Sequence, residues 1–280
     1  MSLGSPPRPS PPRPHTWLIS GAVVTVVSLA GAVIATWFWL AGPQAVASVT
    51  VPGSQPVQSI TQNQTYHHPI SRIELNLSAG DLALSSGAPG EVTVQRKLRW
   101  TSSEPQVTQD WDGDTLRITA VCPNAQRDCT ANYTVQIPAE VTVQAHTAAG
   151  AVTVRDVTGD LNLIDDAGRT ELDNVTGALQ VRSAAGDIIG HRLGSRHVKL
   201  SSSAGLVSVG FGSVPDSVTA TSAAGQVRIM LPRTGTGIDG YQVQADTDAG
   251  RRIVSVAEDS AGRHSIVAHS DAGDVSVSYA

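Results

Sequence analysis

The sequence predicts an all-β protein: a β-solenoid or β-helix-like ectodomain with about 18–25 residues per coil, preceded by one transmembrane α-helix. Three observations carry that expectation. Gly150, Gly159, Gly168, Gly177 and Gly186 are spaced nine residues apart, and pairs such as Val152/Val154 and Leu161/Leu163 follow two and four residues later. From residue 70 onward, apolar and polar side chains alternate in period two with no amphipathic helix between them. Residues 17–40 hold no charged side chain at all. Composition agrees: of 280 residues 15% are charged and 4% aromatic, against 26 glycines and 16 prolines, which suits short strands and tight turns better than a helical enzyme core. Lys97 and Lys199 are the only lysines and the net charge is −5, so the chain has no basic footprint for nucleic acid.

Residues 1–16 are rich in Pro and Ser, carry Arg8 and Arg13 but no acid, and are expected to form a disordered cytoplasmic tail. As a helix, residues 17–40 would be about 36 Å long, enough to cross a bilayer with some tilt. Trp17 at one end and Trp37, Phe38 and Trp39 at the other fall where aromatic rings meet the lipid–water boundary. A cleavable signal peptide is the alternative, because Ala45-Val46-Ala47 follows the apolar run as a cleavage site would. Signal-peptide apolar regions run about 7–15 residues, however, and this one is longer. Both arginines precede the span and no Lys or Arg follows it before Arg72, so the amino terminus is placed in the cytoplasm and the carboxyl-terminal domain outside. Beyond the span, 17 basic side chains face 24 acidic ones, a net charge of −7 that favours solubility. Residues 41–69 read as a flexible linker. His67 and His68 at its end would point in opposite directions in an extended chain, which favours two solvated rings over a metal pair.

The ectodomain, residues 70–280, begins with alternating segments separated by turn signals at Gly80, Gly87, Pro89-Gly90 and Asp112-Gly113-Asp114. Cys122 and Cys129 are the only cysteines. Outside the membrane they read as a structural disulfide across a turn, with two free thiols as the alternative. Past residue 140 the turns alternate in kind. Ala149-Gly150, Ala167-Gly168 and Ala185-Gly186 mark one corner; Val157-Thr158-Gly159 and Val175-Thr176-Gly177 mark the other, so the repeat is eighteen residues and two strands. The Ala-Gly corner continues at Gly205, Gly225, Gly250 and Gly273, at intervals of 19, 20, 25 and 23 residues, read as coils that lengthen toward the carboxyl end. One coil cannot bury its own apolar side, whereas neighbours stacked above and below can. The corner glycines are expected where the backbone turns at positive φ. A meander or sandwich of independent hairpins is the competing architecture, and the strict nine-residue recurrence argues against it.

The segments TAAGAVTV, SAAGDIIG, SSAGLVSV, SAAGQVRI and SDAGDVSV resemble the bacterial family of β-strand-repeat domains called "putative adhesins", a domain family of unknown function often carried behind one transmembrane helix. The resemblance covers roughly residues 70–280. It implies a surface-exposed β-solenoid-like domain and assigns no site residues.

Candidate chemistry is sparse. Asp165/Asp166 with Arg169, Asp187, Asp246/Asp248 with Arg251, and Asp271/Asp274 gather near the Ala-Gly corner, where they could serve acid–base work or hold calcium. Asp also favours turns because it hydrogen-bonds its own backbone, and that reading is preferred. His146, His191, His197, His264 and His269 follow no consistent offset, and no nucleophile elbow or phosphate loop occurs. No catalytic, cofactor or metal residue is therefore assigned. Trp100 and Trp111 are read as a plug for the amino-terminal end of the stack, with an exposed sugar-stacking site as the alternative. The last strand, DVSVSYA, is expected to leave a free edge for self-association. The expected function is a non-enzymatic, single-pass cell-membrane protein that uses its ectodomain for adhesion or for binding a surface ligand or cell-wall component. A regulatory or envelope-stress-sensing component is the alternative, and a polysaccharide-acting enzyme a third reading.

Overall fold

The computed structural model describes residues 56–123, 128–234 and 240–280. The predicted tail, the apolar run 17–40 and most of the first part of the linker lie outside these residues. No helix of the described residues is long and apolar enough to cross a membrane.

Between residues 142 and 231 the chain alternates between two sheets. Strands β8 (Thr142–Thr147), β10 (Leu161–Ala167), β12 (Leu179–Ala185), β14 (His197–Ala204) and β16 (Ser217–Ala224) belong to a ten-stranded sheet. Strands β9 (Val152–Arg155), β11 (Thr170–Asp173), β13 (Ile188–Leu193), β15 (Val207–Phe211) and β17 (Val227–Leu231) belong to an eleven-stranded one. Within each sheet these strands pair in parallel, and the register equals the sequence repeat: Val143 lies beside Leu161, Leu161 beside Leu179, Leu179 beside Val198, and Val198 beside Val218. Period-two alternation therefore stacks like on like. All five of those side chains are at most 4% exposed. Burying each contributes about 1.5–3 kcal/mol, and because the rows continue from strand to strand the core is continuous.

The amino-terminal end departs from the parallel pattern. There β1 (Gln58–Tyr66) pairs antiparallel with β4 (Val92–Trp100), and β4 pairs antiparallel with β7 (Thr130–Ile137), which lies parallel to β3 (Leu82–Ser86). In the other sheet β5 (Gln106–Asp112) pairs antiparallel with β6 (Thr115–Val121), and β2 (Arg72–Leu77) lies between β6 and β8. Both sheets are thus mixed. Residues 58–66, expected as linker, form an edge strand. Eight of its nine residues are exposed, and its Gln/Thr/Ser composition offers no apolar face to read, because backbone pairing to β4 holds it. Cys122 and Cys129, between β6 and β7, are disulfide-bonded with Cα atoms 5.7 Å apart.

The carboxyl-terminal end corrects two expectations. Strands β20 (His264–Ala272) and β21 (Val275–Tyr279) pair with β16 and β17, whereas the earlier β18 (Tyr241–Ala249) and β19 (Arg252–Val254) lie outside them. The last strand is therefore internal, and the edges at this end belong to β18 and β19. The long intervals after Gly225 coincide with nine-residue connections from β17 to β18 and from β19 to β20, and along them the chain skips a position and then returns to it. Ala224 lies beside Ala272, and Ala272 beside Ala249.

The Ala-Gly corners form one column. The amide of Gly150 donates to the carbonyl of Ala167 (3.1 Å), Gly168 to Ala185 (3.1 Å), Gly186 to Ala204 (2.9 Å), Gly205 to Ala224 (2.9 Å), Gly225 to Ala272 (2.9 Å) and Gly273 to Ala249 (2.9 Å). Gly80, read as a hairpin turn, joins the same column by donating to Ala149 (2.8 Å). Positive φ is not the shared requirement: Gly205 has φ +152°, but Gly168, Gly186 and Gly250 are not in that region. What they share is close approach. A Cβ on Gly150, Gly168, Gly186, Gly205, Gly225, Gly250 or Gly273 would lie only 1.6–2.2 Å from the carbonyl oxygen of the adjoining corner glycine, far inside van der Waals contact distance. On the opposite corner, Gly159 and Gly177 face the Val141 and Gly159 carbonyl oxygens in the same way.

Two outcomes follow. Gly186→Ala should destabilise the domain by about 3 kcal/mol, because its obstacle is backbone rather than a flexible side chain. Gly210→Ala, whose Cβ would meet the Met230 methyl group at 3.4 Å, should change stability by under about 1 kcal/mol. Thermal unfolding distinguishes them, and equal losses would contradict the close-approach account. For the disulfide, alkylation without reductant should leave the mass unchanged, and Cys122→Ser/Cys129→Ser should cost about 2–3 kcal/mol.

Candidate functional site

Most corner acids hold windings together. The residue after a corner glycine is repeatedly Asp, and one of its oxygens accepts a backbone amide from an adjoining winding: Asp81 from Ala151 (2.9 Å), Asp187 from Leu206 (3.0 Å) and Asp274 from Arg251 (2.9 Å). The second oxygen of Asp187 meets Arg169 at 3.4 Å, and that of Asp274 meets Arg251 at 2.7 Å. The Arg251 guanidinium and amide hold the Asp274 carboxyl below its ordinary range. Arg192–Asp173 (2.6 Å) and Arg196–Asp216 (2.7 Å) likewise join successive windings. These pairs are exposed, so each contributes little energy. Their carboxylates are nevertheless committed to guanidinium and backbone partners.

Three residues before each corner glycine, the side chain points inward and is polar: Thr147, Asp165, Ser183, Ser202, Ser222, Thr247 and Ser270. Four of them donate to a corner glycine carbonyl: Ser202 to Gly186 (3.1 Å), Ser222 to Gly205 (2.9 Å), Ser270 to Gly225 (2.8 Å) and Thr247 to Gly273 (2.8 Å). Buried hydroxyls favour partners, and at these four positions the corner carbonyls supply them; Thr147 donates to Asp165 instead, and the buried Ser183 hydroxyl has no hydrogen-bond partner among the described residues. Asp165 is the one carboxylate in this row. It is 1% exposed and accepts from Thr147 Oγ1 (3.1 Å) and Thr170 Oγ1 (3.3 Å). Burial pushes its carboxyl up, against the opposing pull of the two hydroxyls. Its neighbour Asp166 points outward to His146 Nε2 (3.1 Å).

One group among the described residues has the donor set for a cation: Asp246, Asp248 and His269 each place a ligand atom within 4.8 Å of the others, on β18 and β20. Both carboxylates are exposed, and His269 Nε2 also lies 2.9 Å from Asp271. Trp100 and Trp111 pack half-buried against the core at the amino-terminal end, as the plug reading expected. Trp111 makes an edge contact with Tyr66 at 5.6 Å between ring centroids, and His68 covers it at 4.6 Å.

The outward face of the ten-stranded sheet was not legible as a site. Its polar positions fall into register: Gln144 beside Asn162, Asn162 beside Gln180, Gln180 beside Lys199, and Lys199 beside Thr219. The side-chain amides of Gln180 and Asn162 lie 3.3 Å apart. Next to this row runs a depression of about 480 Å³ lined by Arg72, Asp160, Asn162, Gln180, His197 and Lys199, among others. A second, of about 320 Å³, lies between Glu74, Arg117, His146 and Ile164. Arg117 bonds both Glu74 (2.9 Å) and Asp112 (2.8 Å), a cluster of one cation and two carboxylates.

No protein-family model matches the chain, and no curated protein matches it. Among solved structures it is similar to a "putative cell adhesion protein" from Clostridium sporogenes, at TM-score 0.44 and 9% identity over 80% of this chain and 100% of that one. It is also similar to a "putative adhesin" from Bacteroides fragilis, at TM-score 0.46 and 14% identity over 80% and 97% of the two chains. Another, from Parabacteroides distasonis, gives TM-score 0.39 and 10% identity over 78% and 97%.

The raised carboxyl of Asp165 has a pH signature. A native-state value above the unfolded one, about 3.9, means that the native state binds more protons between the two values. The ionisation penalty is therefore absent below the unfolded value and complete once pH passes the native one. Asp165→Asn should exceed the wild type in Tm at pH 7, with the gain shrinking as pH falls through the raised native value and gone below about 4. A Tm difference independent of pH would show that the carboxyl is not destabilised by burial.

Proposed function

We propose that this chain is a single-pass, membrane-anchored cell-surface protein whose ectodomain is a β-solenoid that binds a surface or cell-wall ligand without catalysing a reaction. The observation that carries this reading is the outward face of the ten-stranded sheet, where amide, hydroxyl and cationic side chains repeat in register from strand to strand and form an extended recognition surface. Supporting the solenoid are the Ala-Gly column and the alternation of successive strands between the two sheets. Supporting the non-catalytic part is the commitment of the corner carboxylates to Arg and backbone partners. The anchor rests on residues 17–40, with Arg8 and Arg13 setting its direction.

Two measurements on the full-length chain test this. An epitope tag appended after Ala280 should be removed by protease added to intact cells, and protection of the tag would overturn the topology. The purified chain should co-sediment with isolated cell walls and release no soluble sugar from them. Failure to sediment would remove the binding role, and released sugar would restore the enzyme. Binding should survive deletion of residues 1–14 with two positive charges retained. An envelope response that disappears with that deletion while binding persists would favour the sensing alternative.

A further inference from the structure

We propose that the larger depression on the ten-stranded sheet binds an acidic glycan laid across the strands; this rests on the surface-binding reading and specifies its ligand. The depression crosses β2, β8, β10, β12, β14 and β16, six adjacent strands. At about 4.8 Å between strands it is about 24 Å long. Arg72 stands on the first of these strands and Lys199 on the fifth. Neither has an anionic partner among the described residues. Arg182, two residues beyond Gln180 on the same face, has no carboxylate partner among the described residues and adjoins the Gln180 amide. His197, also in the lining, bonds Ser217 Oγ (3.1 Å), with the Asp216 carboxylate near enough to interact. The one carboxylate in the depression, Asp160, already accepts the amide of Ala178 at 2.9 Å. A cationic strip on an ectodomain of net charge −7 selects an anion by complementarity and leaves neutral or basic ligands without that gain.

The remaining lining decides which anion. Between Arg72 and Lys199 lie Thr142, Gln144, Asn162 and Gln180, and beyond Lys199 lie Ser217 and Thr219, amides and hydroxyls that both donate and accept. These groups match a ligand rich in hydroxyls along its length, and strand spacing is close to the advance of one sugar ring along an extended glycan. The lining also includes Leu161, Ala178, Leu179 and Val198, but an acyl chain laid there would leave Arg72, Lys199 and the amides without polar partners. A peptide adding as a strand needs a free sheet edge, and these strands already pair on both sides. Nucleic acid would call for a denser cationic track and stacking aromatics, and the lining contains no aromatic ring other than His197.

The test uses the full-length chain in detergent and a galacturonate oligosaccharide, with the fully methyl-esterified oligosaccharide as the uncharged counterpart. Titration calorimetry should show binding of the acid form that weakens with added salt, and weak or absent binding of the ester. Arg72→Gln/Lys199→Gln should weaken binding of the acid about tenfold, as expected for loss of two exposed ionic contacts, and leave thermal unfolding unchanged. Asn162→Ala/Gln180→Ala should weaken it as well. No binding of the acid, equal binding of acid and ester, or full binding by the charge variant would each overturn the proposal. Cell-wall sedimentation separates this from the broader reading. If the charge variant still sediments with walls as the wild type does, the glycan site is wrong and the surface-binding role stands. If the wild type does not sediment, the broader reading fails.

Discussion

The close approach of backbone to backbone at the Ala-Gly corner is the constraint on which the rest of the structure depends. The amides of Gly150, Gly168, Gly186, Gly205, Gly225 and Gly273 each donate to an alanine carbonyl of an adjoining strand end, and the space a Cβ would need there is taken by a glycine carbonyl. That approach fixes the distance between windings at the corner. Strands on both sides then pair in parallel at the same register, and apolar side chains meet their equivalents above and below. A larger corner would separate adjacent windings and expose the core rows on both sheets. The repetition of glycine is thus a steric requirement more than a conformational one, since Gly168 and Gly186 turn without positive φ.

Two layers of polar contacts hold this column. Inside, Ser202, Ser222, Thr247 and Ser270 satisfy the glycine carbonyls that the corner brings into the interior. Outside, Asp81, Asp187 and Asp274 accept the amides that follow the neighbouring corner. Polar residues in the repeat therefore have structural duties first. Clustered acids near a turn, which from sequence alone could be read as acid–base machinery, are here the fasteners between windings. The side chains with no such duty lie elsewhere, on the middle of the ten-stranded sheet, where Arg72, Gln144 and Lys199 face solvent.

How far the sequence could be read depended on whether a residue's signal was steric or positional. Gly150 through Gly225 announced the corner because their spacing is regular and no other residue fits. The alternation of Val143, Leu161, Leu179, Val198 and Val218 announced the core. Gly80 was missed as a corner because it stands alone, 70 residues ahead of Gly150. Strand β1 was missed because backbone pairing, not an apolar face, holds it. Asp165 was read with the solvated turn acids because its inward direction depends on register. The outward face was invisible for the opposite reason: Asn162, Gln180 and Lys199 are ordinary solvent positions in their own strands, and only the pairing of strands lines them up.

The reversed order of the last two windings bears on synthesis. Strand β18 leaves the ribosome before β20, yet its permanent neighbour is β20, and β20 occupies the flank of β16. The stretches TDAG and SDAG offer that flank nearly the same alignment of small residues. Until β20 has been made, the earlier segment meets the flank that β20 will occupy, so the order of synthesis and the order of strands in the sheet compete at this end.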